Sequence, residues 1–81
     1  ISSDSPIGEN VSILQNVTIG GNGDGIAPRI GDDVTIHSGA VVVGDIDIGE
    51  DAVIGANSVV LSDVPAGATV VGAPARIVDE S

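Results

Sequence analysis

The sequence contains no cysteine, methionine, phenylalanine, tryptophan or tyrosine. The absence of cysteine excludes disulfide bonds and thiolate metal sites. Aromatic side chains are missing although 42% of the 81 residues are hydrophobic, so the core must be built almost wholly from Ile, Val, Leu and Ala. Such uniform aliphatic side chains fit one narrow and regular interior, and a chain of this length can bury only one core.

Positive charge is also scarce. The chain has two arginines, Arg29 and Arg76, and no lysine, compared with twelve acidic residues, so its net charge is −10. Because no basic patch exists to attract polyanions, we expect no nucleic-acid partner and no membrane partner. No apolar run approaches transmembrane length and no signal peptide is recognisable, so we expect a cytoplasmic location.

What the sequence does contain is an aliphatic residue at every sixth position. The members of this period are Ile1, Ile7, Ile13 and Ile19, then Ile30, Ile36, Val42, Ile48, Ile54 and Val60. A period of six fits neither a helix, at about 3.6, nor a strand, at about 2.0, so the chain must turn a corner every six residues. The position four residues after each member is mostly small or β-branched, and turn-forming residues lie between them. The repeat therefore predicts an all-β solenoid.

The period is interrupted once, between Ile19 and Ile30. The intervening GGNGDGIAPR contains four glycines and a proline, which predicts a loop extruded at one corner over residues 20–29. If three hexads make one turn, a five-residue correction stacks Ile7, Ile30 and Ile48 in one column. The other two columns are Ile13, Ile36 and Ile54, and Ile1, Ile19, Val42 and Val60. We predict one domain over residues 1–81, with a first coil at 1–19, the loop at 20–29, further coils at 30–65 and an exit tail at 66–81.

Several segments resemble the C-terminal half of the bacterial serine acetyltransferases. They are the hexads themselves, VSILQNVTIGG at 11–21, IGANSVV at 54–60, DVP at 63–65 and VGAPARIV at 71–78. The resemblance covers nearly the whole chain. It implies a single-stranded left-handed parallel β-helix of about three and a half coils, assembly into a homotrimer, and acyl transfer from acetyl-CoA in the groove between neighbouring subunits.

The resemblance also implies where catalytic histidines would lie. One would precede residue 1, and the other would lie in the extruded loop, where this chain has Ala27. Acyl transfer to a hydroxyl needs a base for the proton, so serine acetyltransferase activity is not expected here. His37, the one histidine, follows Ile36 at a corner where the family usually has glycine. It is a weak catalytic candidate, and we expect a solvent-facing surface residue, because a lone histidine has no partner to orient it.

The coenzyme-binding positions of the family carry over better. Gly21, Ser38 and Ala56 match positions where backbone on small-residue corners holds coenzyme A, and Arg76 matches a tail position that could contact phosphate. Without lysine, affinity should be weak. We expect no cofactor for this chain as such, and acetyl-CoA by resemblance.

Two further features suggest ligands less strongly. The glycine-rich segment GGNGDG lacks the lysine of a phosphate-binding loop. It resembles the calcium-binding GGxGxD nonapeptide, but it lacks one spacer residue and occurs only once in the chain, so an extruded loop explains it better. Stacking would align Glu9, Asp32 and Glu50 at one corner. Hard cations favour such oxygen clusters, but acidic turn residues on a solvated corner account for them equally, and we predict no metal site.

Two function classes remain. The first is a non-catalytic β-helix scaffold derived from an O-acetyltransferase, engineered or minimised, which is favoured by Ala27, the lack of aromatics and the start without methionine. The second is an acyltransferase fragment that moves acetyl from acetyl-CoA to a hydroxyl of serine or a sugar. An ice-binding β-helix would need outward threonine ladders, and Thr18, Thr35 and Thr69 do not form one.

Overall fold

We describe a computed structural model of the chain, for residues 7–20 and 27–80. The described part consists of short strands and turns. The strands are β1 (Ser12–Ile13), β2 (Thr18–Gly20), β3 (Arg29–Ile30), β4 (Thr35–Ile36), β5 (Val41–Val43), β6 (Asp47–Ile48), β7 (Val53–Ile54), β8 (Val59–Val60), β9 (Ala68–Val71) and β10 (Arg76–Glu80). In the described ranges, no helix is long and apolar enough to cross a membrane.

Three sheets form the walls of a β-helix, and their strands are parallel except where β10 pairs with β9. The five-stranded sheet has the order β1-β4-β7-β9-β10, the three-stranded sheet β2-β5-β8, and the two-stranded sheet β3-β6. From β1 to β8, every third strand along the chain therefore joins the same wall, and one coil consists of three strands and three corners. The solenoid predicted from the six-residue period is confirmed.

The pairing register confirms the predicted columns. Ile13 pairs with Ile36, and Ile36 with Ile54. The other two columns pair Ile7 with Ile30 and Ile30 with Ile48, and Ile19 with Val42 and Val42 with Val60. Partners across the predicted loop are 23 residues apart and the next partners are 18 apart, so the loop adds five residues to one coil. Gly20 and Arg29, at the predicted ends of the loop, are paired in strands with Val43 and Asp47.

The core is a stack of aliphatic side chains along the axis of the coil. Two inward positions alternate in each hexad: the period member, and the slimmer residue four positions later. These second inward residues are buried from residue 30 onward, namely Val34, Ala40, Ile46, Ala52, Ser58 and Val64, whereas Val11 and Val17 of the first coil are half-buried. Ser58 is the buried polar member, and its hydroxyl accepts a hydrogen bond from the backbone N–H of Gly72 at 3.2 Å.

Left-handed backbone conformations turn the corners. At one corner Asn10, Asp33 and Asp51 have φ between 59° and 60°, and at the next Asn16 and Asn57 have φ of 62° and 59°. Asn and Asp tolerate this region better than other residues with a side chain, because their short polar groups bond locally. The Asn and Asp residues between the aliphatic positions are thus explained by the backbone of the turns.

The last coil departs from the sequence-based register. Val64 pairs with Ile48 and Val70 with Ile54, so partners there are 16 residues apart and not 18. Val64 lies inside as a column member, and Ala66 and Gly67 form the turn that follows it. The coil is two residues shorter because β8 leads to Val64 without a full hexad.

The predicted exit tail contains two strands. β9 continues the five-stranded sheet in parallel, and β10 pairs with β9 antiparallel, with a register shift between Ile77 and Asp79. The 72–75 turn that joins them contains a cis peptide bond between Ala73 and Pro74. The five residues of β10 are all exposed.

Candidate functional site

The Ser38 corner joins the five-stranded sheet to the three-stranded sheet. We use this name for the stacked turns Gln15–Asn16, Ser38–Gly39 and Ala56–Asn57. The N–H of Asn57 donates to the carbonyl of Ser38 at 3.0 Å, and the N–H of Gly39 donates to the carbonyl of Gln15 at 3.1 Å. Ser38 and Ala56, two of the predicted coenzyme positions, therefore lie one directly above the other in adjacent coils.

Small residues are required at this corner for packing. Gly39 has φ of 77°, and a Cβ there would lie 2.2 Å from Oδ1 of Asn57. Ser38 is half-buried and Ala56 is exposed. At Ser38, Gly39 and Ala56 the corner thus presents backbone and small side chains, and a ligand could approach the main chain closely there.

His37 lies beside this corner and faces solvent. Its side chain is exposed, and its backbone N–H donates to the carbonyl of Ile54 at 2.9 Å as part of the coil ladder. The prediction of a surface residue is confirmed in that respect. Neither the exposure of His37 nor its backbone bond tests whether the side chain has a catalytic role.

The loop corner lies on the other side of the three-stranded sheet. Ala27, where the resemblance places a histidine, is half-buried and precedes the buried Pro28 and then β3. Gly21, the third predicted coenzyme position, lies outside the described residues. Because Ala27 comes between β2 and β3 and Ser38 between β4 and β5, a whole sheet separates them in one chain.

Arg76 follows the 72–75 turn at the start of β10. The 72–75 turn that leads to it is bonded to Val59: the N–H of Val59 donates to the carbonyl of Gly72 at 2.9 Å, and that of Ala75 donates to the carbonyl of Val59 at 2.8 Å. Arg76 is exposed at the start of β10. Its backbone partner in β9 is Val71.

An ion-pair network at the two-stranded sheet was missed by sequence reasoning. Arg29 contacts Asp45 at 3.0 Å and also Asp47, and a carboxylate oxygen of Asp63 accepts from the backbone N–H of Asp47 at 2.9 Å. The hydrogen bond from Arg29 lowers the pKa of Asp47, and the bonds to Asp47 and Asp45 raise the pKa of Arg29. The available signal was the 18-residue spacing of Arg29 and Asp47, which is one coil.

The acidic corner consists of the turns Glu9–Asn10, Asp32–Asp33, Glu50–Asp51 and Ala66–Gly67. Its predicted stacking is confirmed by backbone bonds of 2.9 Å from Asp33 to Glu9, from Asp51 to Asp32 and from Gly67 to Glu50. The carboxylate of Asp32 accepts a bond from the N–H of Glu9 at 2.8 Å. Over 7–20 and 27–80, no group of three His, Cys, Asp or Glu side chains is arranged to hold a metal ion.

Comparison with known proteins agrees with this geometry. Residues 27–62 match the family model described as bacterial transferase hexapeptide (six repeats). A probable serine acetyltransferase 1 of Oryza sativa subsp. japonica is 49% identical over 81 residues, which cover 96% of this chain and 27% of the relative. A serine acetyltransferase of Staphylococcus aureus strain Mu50 is 49% identical over 77 residues, which cover 91% of this chain and 36% of the relative.

Solved structures give the same result for the fold. The crystal structure of a serine acetyltransferase from Brucella abortus strain S19 in complex with coenzyme A has a TM-score of 0.92 and 42% identity, over 99% of this chain and 33% of that one. The predicted left-handed β-helix with hexapeptide repeats is confirmed. The chain spans between about a quarter and a third of the proteins that it matches.

Proposed function

We propose that this chain, which is similar to the left-handed β-helix of serine acetyltransferases, binds coenzyme A at the Ser38 corner without catalysing acetyl transfer. The observation that carries the proposal is the stacking of Ser38 and Ala56 on a corner of backbone and small side chains, while Ala27 occupies the loop position. A similar protein is known in complex with coenzyme A. In this proposal the chain is a non-catalytic scaffold of acyltransferase descent.

Chemistry supports binding over catalysis. Transfer of acetyl from a thioester to a hydroxyl requires a base to take the hydroxyl proton as the carbon–oxygen bond forms and the thiolate leaves. Ala27 has no group to accept a proton, and His37 lies at the other side of the three-stranded sheet. Binding needs only the corner and a cation near the phosphates, and we propose the exposed Arg76 for that role.

We also propose that three copies assemble around the three-stranded sheet. Its outward positions in β5 and β8 are apolar, and Val41, Val43 and Val59 are half-buried, whereas Thr18 of β2 is exposed; Leu61, directly after β8, is 57% exposed. This sheet lies between the loop corner and the Ser38 corner, so a closed ring of copies would place the loop corner of one beside the Ser38 corner of the next. A mass of three chains in sedimentation equilibrium is expected, and a folded monomer at micromolar concentration would contradict it.

Calorimetric titration with coenzyme A tests the binding proposal. Ala56→Glu places bulk and negative charge at the Ser38 corner, and it should weaken binding about tenfold or more, because like charges placed together in an interface are costly. Ala66→Glu is the matched control, since Ala66 is the equivalent exposed turn residue of the acidic corner. Equal affinities of the two variants, or no binding by the unaltered chain, would reject the proposed site.

A thiol-release assay with acetyl-CoA and serine tests the absence of catalysis. We expect no release above the uncatalysed rate, and no effect of His37→Ala. Turnover that disappears in His37→Ala would instead support the second candidate, an acyltransferase that uses His37 toward a hydroxyl of serine or a sugar. The engineered origin and the cytoplasmic location stay predictions.

A further inference from the structure

Three side chains of the sequence can carry a positive charge, namely Arg29, His37 and Arg76. Arg29 is held by Asp45 and Asp47 at the two-stranded sheet. In the part of the chain that the structure describes, the ion pairs are those of Arg29, whereas His37 and Arg76 form none and are exposed. Both side chains are therefore available to an anionic ligand.

His37 and Arg76 belong to one outward column of the five-stranded sheet. The column contains the residue that directly follows each buried or half-buried member of the inward column, namely Leu14, His37, Gly55 and Val71, and it ends at Arg76, which pairs with Val71. Three strand spacings of about 4.8 Å separate the backbones of His37 and Arg76, which gives about 14 Å. This separation suits two anionic groups of one ligand better than a single group.

The surface between His37 and Arg76 is low and uncharged. A Cβ at Gly55 would lie 2.5 Å from Cγ1 of Val71, so the side chain of Val71 lies over Gly55. Val71 itself is 40% exposed. An extended ligand on this column would therefore meet an apolar step between the two cations and no carboxylate.

Carboxylates are distant from His37. The turns 14–16 and 55–57, which are stacked on either side of it, contain no titratable side chain, and neither do the strands β2, β5 and β8 of the adjoining sheet. The acidic corner lies at the opposite ends of the strands, where Asp33 and Asp51 precede β4 and β7. On β10, Asp79 pairs with Thr69, which is outside the column. An anion beside His37 thus avoids the repulsion that a chain of net charge −10 otherwise exerts.

We infer that protonated His37 binds a phosphate group of coenzyme A, so that its contribution to the affinity is present in mild acid and is lost above neutral pH. Histidine is the side chain whose charge ordinarily changes between about pH 5 and pH 8. The inference rests on the proposed function, because His37 directly precedes Ser38 and serves the same site. Coenzyme A carries a diphosphate and a separate 3′-phosphate, which supply one anionic group for His37 and one for Arg76.

Calorimetric titration of the full chain with coenzyme A at about pH 5.5 and pH 8 tests the role of the charge. His37→Gln removes the charge and keeps a polar side chain. At pH 5.5 this variant should bind about two- to fivefold more weakly than the unaltered chain, which is the size of an exposed ion pair. At pH 8 the two affinities should agree. Both chains share every other titrating group, and the ligand is the same, so the difference between them isolates His37.

His37→Lys tests the same charge by keeping it at both pH values. At pH 8 this variant should bind coenzyme A about two- to fivefold more tightly than the unaltered chain, because lysine stays charged there. Ala66→Lys is the matched control, since it adds the same charge at the acidic corner, on an exposed turn residue. Its affinity at pH 8 should equal that of the unaltered chain.

Three results would overturn the inference while the proposed function stands. They are equal binding by His37→Gln and the unaltered chain at pH 5.5, a loss in His37→Gln that is the same at both pH values, and an equal gain in Ala66→Lys and His37→Lys. Absence of binding by all four chains at both pH values would instead reject the proposed function, and this inference with it.

Discussion

Single residues in the turns are fixed by backbone conformation and close contacts. Asn and Asp occupy the left-handed positions of both turn stacks, and Gly39 is the member of the Ser38 corner at which a side chain has no room. The sequence already indicated turns at these positions, because Gly, Asn and Asp cluster between the aliphatic residues. It could not indicate that Gly39 contacts Asn57, because that contact depends on the stacking of two coils.

Gly39→Ala should destabilise the chain by about 1–3 kcal/mol, because it combines a left-handed φ with a collision at Asn57. Urea unfolding measures this change. Gly20→Ala is the control, since a Cβ at Gly20 meets no atom within 4 Å, and its stability should be unchanged or slightly higher. Similar losses for both variants would show that the contact with Asn57 is not responsible.

The pKa of Asp47 depends on one neighbour. The hydrogen bond from Arg29 lowers this pKa, so Arg29→Gln should return it toward the ordinary range of an aspartate. Carboxyl carbon shifts followed by NMR through a pH titration measure it. Arg76→Gln removes the other arginine and is the control, since it should leave the pKa of Asp47 unchanged.

The sign of the pH effect follows from the lowered pKa. A carboxylate whose folded pKa is depressed stabilises the fold above the unfolded pKa, and this contribution is lost as pH falls through the folded pKa. The unaltered chain should therefore lose more stability than Arg29→Gln between about pH 4 and the folded pKa of Asp47. If both chains lost the same free energy of unfolding over this pH range, the lowered pKa of Asp47 would not contribute to stability. Both groups are exposed, so the effect should be small.

At the scale of strands, the columns of aliphatic residues define the coil. Their members could be predicted from the sequence because a six-residue period has one geometric solution, in which each member returns inside. The shorter last coil and the strand β10 could not be predicted from the sequence. Val64 is four residues after Val60, where a slim side chain is also expected, so its role as a column member has no separate signal. The exposed β10 has no buried face to create a pattern.

Shortening a buried side chain of an aliphatic column should lower the free energy of unfolding. Ile36 is fully buried between Ile13 and Ile54, and Ile36→Ala should destabilise by about 2–5 kcal/mol through lost burial and a cavity. Ile77→Ala removes the same atoms from an exposed position and should cost much less. Thermal unfolding at fixed protein concentration compares them. Equal losses would mean that Ile36 is not in the core.

At the scale of the whole molecule, charge opposes folding. The net charge is −10, and the acidic corner stacks Glu9, Asp32 and Glu50 in coils about 4.8 Å apart. Added salt screens such repulsion, so the melting temperature should rise by a few degrees with sodium chloride. Asp51→Asn should raise the melting temperature more than Asp79→Asn, since Asp51 belongs to the acidic corner whereas Asp79 lies on β10, outside it. A melting temperature that does not respond to salt would show that the repulsion is negligible.

The candidate site is also a property of the whole molecule. Ser38 and Ala56 could be chosen from the sequence by resemblance and by the 18-residue coil, and the structure brings them together. Arg76 could be placed only approximately, because its position depends on the 72–75 turn and on β10. The ion pair of Arg29 with Asp47 could have been predicted from their 18-residue spacing, whereas the contact with Asp45 depends on the direction of the Arg29 side chain.

The central claim is that coenzyme A binds at the Ser38 corner, and amide NMR spectra recorded during a titration with coenzyme A test it most directly. The account predicts progressive shifts for the amides of Ser38, Gly39, Ala56 and Asn57, with the amides of Glu9, Asp32 and Glu50 unchanged. Shifts confined to the acidic corner, or no shifts at millimolar coenzyme A, would contradict it.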